Sequence, residues 1–83
     1  MTKDEALKII EETEADYSQK QRVLRGLQIL AKYDQNLDAH TSFEHDQIYV
    51  NDFEEAVVQM TKEDVVELAV CGWFESEDSW SHF

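Results

Sequence analysis

The sequence changes character at about residue 34, and that break constrains the fold more than any other feature. Before it, apolar residues recur at helical spacing and the charges cancel, with six acids against six bases in residues 1–33. After it, aromatic and β-branched residues gather in short runs, and thirteen acids face a single base, Lys62. The whole net charge of −12 therefore belongs to residues 34–83. Packing does not call for that division, because like charges oppose a compact state. A field of one sign serves solubility, steering or docking on a basic partner.

The first part reads as two helices. Thr2 with Glu5 three residues later is a capping-box pattern, and Asp4 and Glu5 suit the positive end of a helix dipole. Ala6, Leu7, Ile10 and Tyr17 continue an apolar stripe, so a helix is expected over about 3–16. Ser18 with Gln21 repeats the capping signature. Val23, Leu24, Leu27, Leu30 and Ala31 follow helical spacing, which predicts a second helix over about 19–34. Gly26 inside it costs ~1 kcal/mol relative to Ala. It marks either a close helix crossing or a tolerated defect.

The second part reads as strands around a third helix. After the polar break Asp34–Asp38, residues 41–50 hold the strand formers Phe43, Ile48, Tyr49 and Val50. Their alternation is imperfect, which fits either one bulged strand or a hairpin turning near His45-Asp46. Asn51-Asp52 is another break, and residues 53–60 form a helical turn or a loop packed on the core. Thr61 with Asp64 opens a third helix whose inner face is Val65, Leu68 and Ala69, with Gly72 placed at C′. Trp73-Phe74 and Ser79–Phe83 flank the acidic tip Glu75–Asp78, which predicts a C-terminal hairpin. The expected class is α+β: two N-terminal helices, then a small antiparallel sheet of three to four strands interrupted by a third helix and closed by the hairpin.

Length and composition narrow the function classes. A chain of 83 residues makes one domain, 1–83, with a helical neutral part (1–34) and an acidic part (35–83). It is 42% hydrophobic and 11% aromatic, too rich for the solvating disordered type. Cys71 is the sole cysteine, so no intrachain disulfide forms, which fits a reducing, intracellular compartment. The N-terminus lacks the apolar core of a secretory signal. No apolar run approaches the ~20 residues of a membrane span, and an acidic surface is repelled by anionic lipid, so no membrane partner is expected. Direct nucleic-acid binding is disfavoured because no basic stripe is present to neutralise phosphates.

Chemistry-bearing constellations are weak. His40, Glu44, His45 and His82 match no zinc spacing, and the tip Glu75–Ser79 lacks the alternating ligands and central Gly of a calcium loop, so no metal or other cofactor is expected. His45 between two acids is expected as a half-buried sheet residue. Cys71 near the end of the third helix reads as a small core residue, and no phosphate loop or serine-nucleophile motif occurs, so catalysis is not expected. Phe43, Tyr49, Phe53, Trp73, Phe74, Trp80 and Phe83 are core by default, with Phe74 and Phe83 the candidates for exposure. An exposed aromatic beside acids anchors protein interfaces.

The carboxylates carry the sharper reading. Residues two apart on a strand share a face ~6.6 Å apart, a spacing expected for Glu44/Asp46 and for Glu75/Glu77. DNA phosphates rise ~3.4 Å each along one strand and lie further apart along the backbone. With Asp52, Glu54, Glu55 and Asp78 added, a row of charge would imitate a duplex edge.

The segments Glu44–Val50, Glu63–Leu68, Gly72-Trp73-Phe74 and Ser79–Phe83, with Leu27–Tyr33 as a helical lead-in, resemble small acidic proteins of phages and bacterial mobile elements. The resemblance covers about residues 23–83. Proteins of this type include anti-CRISPR inhibitors, some of which mimic DNA. The resemblance implies a phage protein acting in the cytoplasm of a bacterial host. It implies an inhibitor or decoy that binds a basic nucleic-acid-binding protein or complex, such as a CRISPR effector, and blocks target DNA. The rival expectation is an interaction module that uses apolar surfaces of the first two helices.

Overall fold

The computed structural model describes residues 1–83. Its order is α1 (Lys3–Glu12), α2 (Arg22–Ala31), α3 (Leu37–His40), β1 (Thr41–Glu44), β2 (Gln47–Asn51), α4 (Phe53–Val57), α5 (Lys62–Val70), β3 (Phe74–Ser76) and β4 (Ser79–His82). The strands form one antiparallel sheet in the order β1-β2-β4-β3. The α+β class expected from the sequence is the observed one. No helix is long and apolar enough to cross a membrane.

Helix starts follow their caps. Thr2 Oγ1 accepts from the Glu5 N–H at 3.2 Å, and Glu5 Oε1 accepts from the Thr2 N–H at 3.0 Å, which closes the expected box. Thr61 caps α5 through the Asp64 N–H at 3.2 Å, and Gly72 takes φ +88 beyond its end, a left-handed conformation that a β-carbon disfavours. Asp52 caps α4 by accepting from the N–H groups of Glu54 and Glu55. That cap decides residues 53–57 in favour of a short helix.

The two leading helices are shorter than expected. α1 stops at Glu12, and α2 begins at Arg22 rather than near residue 19. Ser18 is not a cap, because its N–H and its hydroxyl both donate to Asp16 Oδ1, at 3.0 and 2.6 Å. The turn this creates is tied to α5 by the Asp16 N–H, which donates to the Val70 carbonyl at 2.8 Å. The polar break at 34–38 also contains the beginning of α3, which the sequence pattern does not signal.

Residues 41–51 are a hairpin, not a bulged strand. His45 and Asp46 form its two-residue turn at φ 50 and 66. The C-terminal hairpin turns the same way at Glu77 and Asp78, φ 52 and 58. Positive φ at both central residues matches the twist of the flanking strands. His45 therefore lies exposed in a turn rather than half-buried in the sheet.

Strand alternation assigns the faces. Ile48, Val50 and Trp80 point to the helical layer and join a core with Ala6, Ile29, Leu30, Phe53, Val57, Val65, Leu68 and Trp73. The Phe53 and Trp80 rings pack with centroids 4.8 Å apart. Ser42, Tyr49, Ser81 and Phe74 form a cross-strand row on the other face. Gly26 does mark a close approach, but to a side chain rather than a helix: the Trp73 indole occupies its open side.

Candidate functional site

Register decides where the eight candidate carboxylates lie. Asn51 pairs with Ser79, so the end of β2 sits beside the β3–β4 turn. Ile48 pairs with His82, so the β1–β2 turn lies at the opposite end of the sheet. Asp52, Glu54, Glu55, Glu75, Glu77 and Asp78 thus share one end. Glu44 and Asp46 share the other, and the length of β2 separates the groups by roughly 15–20 Å.

The strand-face pairing expected within each doublet is not formed. Asp46 and Glu77 are turn residues at positive φ, so neither continues the alternation of Glu44 or Glu75. A tight two-residue turn is favoured at each hairpin, and it takes the second acid of each pair off the strand. One uninterrupted row across all eight is therefore absent, and the charge divides into a group of six and a group of two.

The six-acid end is tied together by backbone. The Phe53 N–H donates to the Asp78 carbonyl at 2.8 Å, which docks the start of α4 on the second hairpin turn. Glu75 Oε2 accepts from the Asp78 N–H at 2.8 Å and stiffens that turn. Lys3 is the base held here, donating to Asp78 Oδ1 at 3.3 Å. Its ammonium is pushed above the usual lysine range, first by that hydrogen bond and by the Asp78 charge, with Glu54 and Glu75 adding to the effect. Lys3 thus reports a field to which three carboxylates contribute. Glu54, Glu55, Glu77 and Asp78 are exposed, while Asp52 and Glu75 are half-buried.

Other acids of the second part are matched by the leading helices. Lys32 meets Asp64 at 2.7 Å and Arg25 meets Glu67 at 3.5 Å. Asp34 is held by His40 Nδ1 at 2.6 Å. Those contacts lie on the α2–α5 side and on α3; at the six-acid end the ion pair formed is Lys3–Asp78, and the Met1 ammonium donates to the Val57 carbonyl at 3.2 Å beside α4.

The histidine and cysteine do not form a nucleophile–base pair. His82 Nε2 lies 3.0 Å from the Cys71 carbonyl oxygen, and Nδ1 lies 2.6 Å from the Phe83 oxygen. The Cys71 thiol is buried, and burial first, then the charge of Glu67, pushes its pKa up. A raised pKa depletes the reactive thiolate. No group of three or more His, Cys, Asp or Glu side chains converges as metal ligands would.

Two aromatics stand out at the far end. Phe83 is 77% exposed, as expected, and its ring lies 5.2 Å from that of the half-buried Phe74. Phe43 is 74% exposed, although a core position was expected. It lies on β1, the edge strand, beyond the reach of the helical layer. The imperfect alternation of residues 41–50 was the available signal, since a hairpin there makes β1 an edge.

Comparison with protein-family models, with curated proteins and with solved structures returns no match for this chain.

Proposed function

We propose that the protein is an acidic decoy that binds a basic nucleic-acid-binding surface and competes with DNA for it. The observation that supports this reading is the gathering of Asp52, Glu54, Glu55, Glu75, Glu77 and Asp78 at one end of the sheet, with Lys3 as the base paired there. Carboxylates carried on a stiff turn and a capped helix require little further backbone ordering when they meet lysines or arginines. Their field accelerates encounter with a positive groove, and the attraction falls as salt screens it. Glu44 and Asp46 lie at the other end and belong to a separate contact or to none. The partner class in this reading is the DNA-binding groove of a bacterial defence complex such as a CRISPR effector, inhibited by a phage protein in the host cytoplasm. A gel-shift titration tests it: displacement of bound duplex as the protein saturates the complex is expected, and a stable assembly holding both at once contradicts it.

A second reading rests on Phe43 and Phe83. Exposed aromatics beside Glu44 and Asp46 fit a protein-binding patch that needs no phosphate imitation. Substituting Phe43→Ser with Phe83→Ser abolishes binding under that reading and leaves it intact under the first.

A further inference from the structure

β1 is an open edge of the sheet. It pairs with β2 on one side and has no strand on the other. Ser42, Phe43 and Glu44 are all exposed, so no helix or loop covers it. β3 is the opposite edge, and its three residues are half-buried. Exposed edges offer a row of unpaired backbone groups to another chain.

The hairpin register says which groups these are. The two-residue turn at His45-Asp46 makes Glu44 and Gln47 a hydrogen-bonded pair, and the next bonded pair is Ser42 with Tyr49. Phe43 and Thr41 alternate with them and aim their backbone groups away from β2. The Thr41 N–H is already given to the Asp38 carbonyl at the end of α3. Three groups remain: the N–H and C=O of Phe43 and the C=O of Thr41. None of them takes part in the backbone bonds that join β1 to other elements.

The side chains around them set the partner's chemistry. Phe43 is 74% exposed and presents apolar surface. Glu44 lies two residues from Ser42 and shares its face, and Asp46 follows in the turn. Neither acid forms an ion pair, and no lysine or arginine occurs between Lys32 and Lys62. A strand added antiparallel to β1 puts one residue opposite Phe43. Its two neighbours then fall on the face of Ser42 and Glu44. The complementary segment therefore reads basic–apolar–basic. A second copy of this chain fits poorly, because each copy brings a net charge of −12.

We propose that β1 binds an extended, basic segment of a partner protein as a fifth strand of the sheet, with Phe43 as the central hydrogen-bonded residue and Glu44 meeting its lysine or arginine. This inference rests on the second reading, the Phe43–Phe83 patch, and names how a partner sits there.

The peptide acetyl-Lys-Val-Lys-Thr-Lys-amide, with Val set opposite Phe43 and Thr opposite Thr41, is the probe. In a ¹⁵N correlation spectrum it is expected to shift the Phe43 amide saturably and to slow its exchange with solvent. Methylating the Val nitrogen removes the donor to the Phe43 carbonyl and is expected to weaken binding at least about tenfold. Methylating the nitrogen of the central Lys, which points away from β1, is expected to leave it unchanged. The two methylated peptides carry the same charge, so general attraction to an acidic protein does not separate them. Glu44→Gln is expected to weaken binding several-fold, whereas Glu77→Gln, at the other end of the sheet, has no effect on the Phe43 shift. Equal affinity of the two methylated peptides overturns strand addition. If Phe43→Ser still weakens both, the aromatic patch stands without it. A Phe43 amide that does not respond to any peptide overturns the inference, and so does one already protected in the free protein in proportion to its concentration, which would assign the edge to a second copy.

Discussion

The indole of Trp73 stands where a β-carbon on Gly26 would be. An ideal β-carbon there falls 2.0 Å from Nε1 and 2.3 Å from Cε2. From that seat the indole N–H donates to the Arg22 carbonyl at 3.1 Å, one turn earlier on the same helix. The contact joins α2 to the segment that leads into β3, so the helical and sheet-forming parts of the chain meet at a residue with no side chain.

Gly26→Ala is expected to destabilise the protein. Alanine gains ~1 kcal/mol of helix propensity. Overpacking against a buried indole costs ~1–3 kcal/mol, and loss of its hydrogen bond costs ~1 kcal/mol more. The net loss of about 1–3 kcal/mol corresponds to a fall of ~4–8 °C in Tm per kcal/mol at this size. Thermal unfolding followed by near-ultraviolet dichroism reads both the stability and the displaced tryptophan, and an unchanged or higher Tm contradicts the contact.

Acid should remove stability through a few identifiable carboxylates. Burial alone raises the pKa of Asp64, but hydrogen bonds from Lys32 and Tyr33 outweigh it and hold the group below the usual range. His40 lowers that of Asp34, Ser18 that of Asp16 and Thr2 that of Glu5. A pKa lower in the folded state gives stability that is present above the unfolded value of ~4 and lost as pH falls through the folded one. Urea unfolding between about pH 6 and pH 2.5 should show falling stability below about pH 4. Asp64→Asn should remove part of the slope and on the order of 1 kcal/mol at neutral pH. A variant with the wild-type pH profile would count against the Lys32–Asp64–Tyr33 cluster.

The Cys71 thiol should resist modification while the protein is folded. It is fully buried, and burial pushes its pKa up. Reaction with an aromatic disulfide at mildly alkaline pH should proceed at the rate the protein opens, and accelerate sharply through the urea transition. Reaction at the speed of a free thiol in native buffer would place Cys71 outside the core.

Salt should raise the melting temperature. Going from ~0.01 to ~0.15 M ionic strength shortens the Debye length from ~30 to ~8 Å. That shift relieves repulsion among the six acids more than it weakens the short contact of Lys3 with Asp78. Glu77→Gln, in a turn and without a partner, should raise Tm at low salt and have little effect at moderate salt. A Tm independent of ionic strength would mean the acids are already compensated.

The parts of this fold legible in the sequence are those fixed by local chemistry. Thr2, Thr61 and Gly72 mark helix ends because a hydroxyl or a missing β-carbon acts within a few residues. The C-terminal hairpin is legible because aromatics flank an acidic tip. The start of α2 is not, since Ser18 has two local partners to choose from and takes Asp16. The Gly26–Trp73 fit joins residues 47 apart, and no spacing rule reaches that far. The candidate acids were identifiable as residues but not as a surface: strand register, a tertiary property, put Glu44 and Asp46 at the wrong end for the other six.

Under the proposed decoy function, the six-acid end, and not acidity in general, is expected to meet the basic DNA-binding groove. Two variants isolate it. One carries Glu54→Gln, Glu55→Gln, Glu75→Gln and Glu77→Gln, sparing the α4 cap Asp52 and the Lys3 partner Asp78; the other carries Glu44→Gln and Asp46→Asn. In gel-shift displacement of target duplex from a CRISPR effector complex, the first is predicted to need at least about 30-fold more protein than wild type. The second is predicted to match wild type within about threefold. Equal loss from both variants, or none from the first, would contradict the claim.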